Sequence, residues 1–109
     1  MDLVEQVYRV TSNFPNDERF GLTQQLRRAV VSNPSNIAEG QGRKSTHEFV
    51  HFLSIANGSR CEVETQLIIA ERLKYLNHTS LEDLLSTTAE IGRITSGLSR
   101  SLQSKVARD

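Results

Sequence analysis

The feature that most constrains this chain is the stretch from Thr46 to Leu76. Within it Phe49, Ala56, Val63 and Ala70 recur at seven-residue intervals, with Phe52, Leu53, Leu67 and Leu73 beside them. A seven-residue apolar repeat places one seam along one side of a helix, and only other helices cover such a seam well. The repeat therefore predicts a long helix over 46–76 inside an all-helical protein. Ser45-Thr46-His47-Glu48 fits a capping box that starts this helix: the Ser45 hydroxyl serves the Glu48 amide and the Glu48 carboxylate reaches back to the Ser45 amide. Gly58 falls mid-helix, where glycine costs about 1 kcal/mol relative to alanine. The expected return is close approach of a neighbouring backbone or a bulky side chain.

Three further segments carry the same helical step. Leu3, Val7, Val10 and Phe14 predict a short helix over 2–13, stopped because Pro15 disfavours helical geometry at Phe14. Leu22, Leu26, Ala29, Val30 and Ile37 predict a helix over 22–39 that contains Pro34. A proline there removes one hydrogen bond and crowds the carbonyl four residues back, so a kink is expected near Val30 to Asn33. Ser32, Asn33, Ser35 and Asn36 can bond the freed backbone groups, which favours continuation through the kink, and Gly40 and Gly42 are expected to supply left-handed positions that end the helix. Asn77 to Ser80 reads as a loop with Ser80 starting a last helix over 81–106, along which Leu81, Leu84, Thr88, Ile91, Thr95, Leu98, Leu102 and Val106 form one stripe. Arg93, Arg100, Lys105 and Arg108 weight its far end positive. No strand pattern or repeat is present. Four amphipathic helices on short polar loops predict one all-α domain over 1–109, an antiparallel up-down-up-down four-helix bundle.

Composition bears on what covers this bundle. With 109 residues, 37% hydrophobic and no tryptophan, the core is thin, and self-association is the expected remedy. Thirteen lysines and arginines balance thirteen acids, so any polyanion must be bound by local patches. The single Cys61 excludes an intrachain disulfide and is expected as a small buried side chain. The first residues lack a basic and apolar leader, and no apolar run approaches the ~18 residues of a membrane span, so a soluble cytoplasmic protein without membrane contact is expected.

The run Leu22-Thr23-Gln24-Gln25-Leu26-Arg27-Arg28-Ala29-Val30, then Pro34-Ser35-Asn36-Ile37-Ala38-Glu39-Gly40, then Arg43-Lys44-Ser45 with Glu48-Phe49, resembles the four-helix bundle proteins encoded in intervening sequences of bacterial 23S rRNA genes. Phe52-Leu53, Ala56, Gly58-Ser59 and Glu62 to Leu67, with Ala70 and Leu73, extend the resemblance over nearly the whole chain. It implies a four-helix bundle assembled as a ring-like homopentamer. The family includes the accessory variability determinant of diversity-generating retroelements, which binds a reverse transcriptase and nucleic acid. No catalytic activity or cofactor comes with the resemblance. Asn33 departs from it, since the family usually places an aliphatic residue before this proline.

Two motifs match known catalytic patterns. His47-Glu48-Phe49-Val50-His51 spells H-E-x-x-H, whose histidines share a helix face and whose glutamate can activate zinc-bound water. Here Glu48 is already explained as a cap, and only distant Glu62 or Glu71 offers a third ligand. Arg72 and His78 have the spacing of the R-x4-6-H motif of HEPN ribonucleases, although Leu73 follows the arginine and His78 falls in the expected loop. A zinc-dependent hydrolase or HEPN-like ribonuclease is thus the alternative to a non-enzymatic binding or scaffolding module. No catalytic, metal or cofactor residue is assigned. The candidate surface is Arg27, Arg28, Arg43, Lys44 and Arg60. These residues either meet the phosphates of RNA or DNA, or are structural, with Arg27 and Arg28 pairing with Glu39, Glu62 or Glu64 across helix or subunit contacts to fix register. In the sequence no aromatic residue stands next to any of them.

Overall fold

A computed structural model describes residues 2–108, with side chains as far as Val106. The side chain of Arg108 therefore lies outside the described residues. Four α-helices follow one another: α1 (Asp2–Thr11), α2 (Leu22–Gln41), α3 (Thr46–Arg72) and α4 (His78–Arg108), with one 3-10 turn at Asn16–Glu18. α1 packs on α2 and α4, and α3 packs on α2 and α4, so each helix is flanked by its neighbours in the chain and the ring closes from α4 to α1. This is the four-helix bundle that the apolar stripes require.

The helix ends correct the sequence-based boundaries, each through local hydrogen bonding. α1 stops at Thr11, short of Pro15, because the Thr11 hydroxyl donates to the carbonyl of Val7 (2.7 Å) and Ser12 to that of Arg9 (2.6 Å), while the Asn13 and Phe14 amides turn inward by three residues. α2 passes through Pro34 and reaches Gln41. Ser35 and Asn36 donate to the carbonyls of Val31 and Ser32, both at 2.8 Å, and add side-chain bonds to the turn next to the Val30 carbonyl, whose helical donor would have been the N–H that Pro34 lacks. Among the described residues no glycine has positive φ, so Gly40 and Gly42 are not left-handed stops. Gly40 is a buried helical residue whose absent side chain lets α3 approach: a Cβ there would stand 2.8 Å from the Phe52 Cβ. Proximity, not backbone conformation, explains this glycine.

α3 starts where expected, with Ser45 Oγ accepting from the Glu48 amide at 3.0 Å, but the return bond of the expected capping box, from the Ser45 amide to the Glu48 carboxylate, is not formed among the described residues. It ends at Arg72 and not at Leu76. Lys74 adopts φ 67°, its amide donates to Glu71 and the Tyr75 amide donates to Ala70, the paired bonds of a Schellman stop. Leu73 is left half-exposed. α4 begins at His78, before the expected Ser80 start, because Asn77 Oδ1 accepts from the Ser80 amide at 2.7 Å and is the cap. The start of α2 is held in a way no local pattern signals: Gly21 offers no side chain, and Glu18 supplies one carboxylate oxygen to the Leu22 amide and the other to the Tyr75 hydroxyl at 2.9 Å.

The main core joins Leu3, Val7 and Phe14 to Leu26, Ala29, Val30, Val63, Leu67, Ala70, Leu76, Leu81 and Leu84. It sits where all four helices are present. The molecule measures 52 × 24 × 18 Å, and the ten residues of α1 span about 15 Å. The other end, around Leu53 and Ala56, is thus built by α2, α3 and α4 alone. A Cβ added to Gly58 would meet nothing within 4 Å, so the expected close neighbour is absent within the protomer. Cys61 is exposed instead of buried, because Arg60 and not Cys61 takes the seam position between Ala56 and Val63.

Candidate binding surfaces

The five candidate residues fall in three places. Arg27 and Arg28 lie on α2 beside α1. Arg43 and Lys44 occupy the α2–α3 turn, sixteen residues or about 24 Å farther along. Arg60 lies in the α3–α4 seam. The structure thus keeps each adjacent pair together and does not merge them.

Arg60 is committed within the protomer. Its Nη1 donates to Glu64 Oε2 at 2.9 Å and its Nε to Asn57 Oδ1 at 3.0 Å, with the side chain only 16% exposed. Glu64 Oε2 also accepts from the buried Thr88 hydroxyl of α4 at 2.6 Å, and Gly92 leaves the space in which the guanidinium lies. This Arg60–Glu64–Thr88 tie sets the register of α3 against α4. Asn33 does the same between α2 and α3: 5% exposed, it donates to the Ala56 carbonyl at 2.8 Å, while Ser32 and Ser59 hydroxyls meet at 2.8 Å. The polar departure at residue 33 is therefore an interhelical hydrogen bond.

Arg43 pairs with Glu39 at 2.6 Å and lies 4.9 Å over the Phe52 ring. Arg27 has no carboxylate partner among the described residues: its Nε donates to Thr11 Oγ1 at 2.9 Å, its Nη2 to the Tyr8 carbonyl at 3.3 Å, and the guanidinium lies 4.6 Å over the Tyr8 ring. Arg19 stacks over Phe20 at 5.2 Å. Arg19 and Phe20 are chain neighbours, but Arg27 and Arg43 each meet an aromatic ring distant in sequence, which corrects the linear reading. The expected pairing of Arg27 or Arg28 with Glu39, Glu62 or Glu64 does not occur among the described residues of the protomer.

His47, Glu48 and His51 are all exposed in the first turns of α3, and no group of three potential metal ligands converges among the described residues. His78 stands at the first position of α4, not in a loop. Its Nδ1 meets Glu71 Oε2 at 2.9 Å and its Nε2 meets Glu82 Oε1 at 2.7 Å. The Glu71 hydrogen bond, followed by the charge of Glu82, holds this imidazole above its usual range. Both ring nitrogens thus face carboxylates, and the ring bridges α3 to α4. Glu18 raises the Tyr75 phenol in the same manner, chiefly through its hydrogen bond. No helix among the described residues is long and apolar enough to cross a membrane.

Known proteins sharpen these observations. No curated protein is significantly similar to the chain. A solved structure of a protein of unknown function from the S23 ribosomal protein family of Bacteroides thetaiotaomicron is similar over 87% of this chain and 86% of that one, with a TM-score of 0.77 and 23% sequence identity. At that identity the likeness speaks to the fold. The model of the family described as 23S rRNA-intervening sequence protein matches residues 1–97, and the chain belongs to that family.

Proposed function

We propose that this protein is a non-enzymatic binding or scaffolding module of the cytoplasm that works as a homo-oligomer, a pentamer, and contacts RNA, DNA or a nucleic-acid enzyme through arginine patches repeated around the assembly. The observation that carries the reading is the apolar surface left uncovered on the long helices: Ile55, Ile68, Ile69 and Leu73 of α3 and Ile94 and Leu98 of α4 are 36–63% exposed. Large apolar side chains left exposed on two helices that pack on one another offer area for contact with further copies. The short α1, which leaves one end of the bundle three-helical, points the same way. Assembly repeats every local charge, so Lys44 at the turn, beside the Glu39-paired Arg43, becomes one of a ring of cations although the chain is neutral.

Native mass spectrometry tests the assembly, and a monomer at micromolar concentration refutes it. Mobility shift with structured RNA at two salt concentrations tests the ligand: binding that weakens steeply with salt is expected, and no binding at low salt removes nucleic acid from the proposal.

A further inference from the structure

On the α1–α2 side lies a groove of about 490 Å³ whose walls include Tyr8, Arg19, Phe20, Arg27, Arg28 and Val31. Three guanidiniums line it and no carboxylate does. Three other arginines of this neutral chain are matched locally, Arg43 with Glu39, Arg60 with Glu64 and Arg93 with Glu90, while Arg9, Arg72 and Arg100 form no ion pair among the described residues and stand apart from one another in the chain. Here none of the three pairs with a carboxylate among the described residues. Arg27 is also pre-positioned, by Thr11, by the Tyr8 carbonyl and by the Tyr8 ring, so it gives up little freedom on meeting a carboxylate.

The groove is apolar as well as cationic. Phe20 is 79% exposed, the highest value among the exposed large hydrophobic residues, and Tyr8 and Val31 add about 40% each. A ligand that uses the whole surface therefore combines carboxylates with an apolar side chain. A nucleic-acid strand asks for something different: free ring faces for its bases and a row of cations following its phosphates. Tyr8 and Phe20 each have one face occupied by a guanidinium. After Arg28 the next cation along the chain is Arg43, about 22 Å farther on and paired with Glu39.

We infer that the α1–α2 groove docks an acidic segment of a partner protein, its carboxylates received by Arg19, Arg27 and Arg28 and one apolar side chain seated against Phe20 and Val31. The mode is that of an amphipathic segment laid in a helix–helix groove. This inference rests on the reading of the chain as a binding module, and the residues that line the groove are not those whose exposure supports self-association.

The test is fluorescence anisotropy of the full chain with three probes: a labelled helical peptide alternating Glu and Leu at helical spacing, its Gln/Leu counterpart, and an oligothymidylate of similar net charge. Arg28→Glu and Phe20→Ser alter exposed side chains, and circular dichroism checks that both variants stay folded. The Glu/Leu peptide is expected to bind on the order of tenfold more tightly than the Gln/Leu peptide, and each variant is expected to weaken it on the order of tenfold. No binding of the Glu/Leu peptide, equal binding of the two peptides, tighter binding of oligothymidylate, or unchanged affinity in both variants overturns the inference. Mobility shift and native mass spectrometry of the unaltered chain report separately on the broader proposal, so the two can fail independently.

Discussion

Three helical glycines have different surroundings, and alanine at each isolates one physical effect. At Gly58 an added Cβ meets nothing within 4 Å, so alanine keeps only its helix-propensity gain of about 1 kcal/mol, or roughly 4–8 °C in Tm for a small domain. At Gly40 the same Cβ lies 2.8 Å from the Phe52 Cβ and 3.0 Å from the Phe49 ring. The Phe52 Cβ is fixed to the α3 backbone, so the helices must part by roughly 0.7 Å to reach an ordinary carbon–carbon contact. Overpacking of this kind costs about 1–3 kcal/mol, which outweighs the propensity gain and leaves a net loss of about 1 kcal/mol. At Gly92 the obstruction is the Arg60 guanidinium at 2.7 Å, the far end of a flexible side chain. It can swing away, at the expense of its bonds to Glu64 and Asn57, so the two effects are expected to offset. Thermal unfolding followed by circular dichroism, at one protein concentration, should rank the variants Gly58→Ala above the parent and Gly40→Ala below it. If Gly40→Ala is as stable as Gly58→Ala, the close-approach explanation of α2–α3 packing is wrong. If Gly58→Ala lowers Tm, its surface is not open in solution.

Other perturbations test separate links. Lys74→Gly relieves a left-handed conformation at φ 67° and is expected to stabilise by about 1 kcal/mol in urea unfolding; a loss would show that the lysine side chain has a role of its own. Asn33→Ala removes a buried hydrogen bond between α2 and α3 and is expected to cost about 2 kcal/mol, measured in the same way. His78 has a folded-state pKa raised by Glu71 and Glu82 above its ordinary 6.5, so its stabilising contribution is complete below about pH 6.5 and is lost as pH rises through the folded value. Tm profiles of the parent and His78→Gln should therefore differ most at mildly acid pH and converge above the folded pKa. Parallel profiles would show that the bridge contributes nothing.

The candidate surface was only partly legible in the sequence. Adjacent arginines are visible as Arg27-Arg28 and Arg43-Lys44, but their grouping depends on where α2 carries them, and a helix of this length separates the pairs by about 24 Å. The aromatic partners of Arg27 and Arg43 lie 19 and 9 positions away in the chain, so no linear motif announces them. One usable signal was missed: Arg60 follows Ala56 by four residues and precedes Val63 by three, which places it in the seam.

The all-helical class, the bundle and the Ser45 start of α3 follow from the order of residues alone, because three- and four-residue apolar spacing and a hydroxyl cap act within one or two turns and need no distant partner. The hydroxyl and amide side chains around Pro34 likewise mark a helix able to continue. What the exceptional residues do is settled only in the folded molecule. Gly40 makes room for α3, Asn33 and Arg60 fix register between helices, Glu18 caps α2 while holding Tyr75, and Arg27 comes to lie on Tyr8. Each of these depends on an atom supplied by another element, at a distance set by packing, and packing is a property of the assembled helices rather than of any one of them.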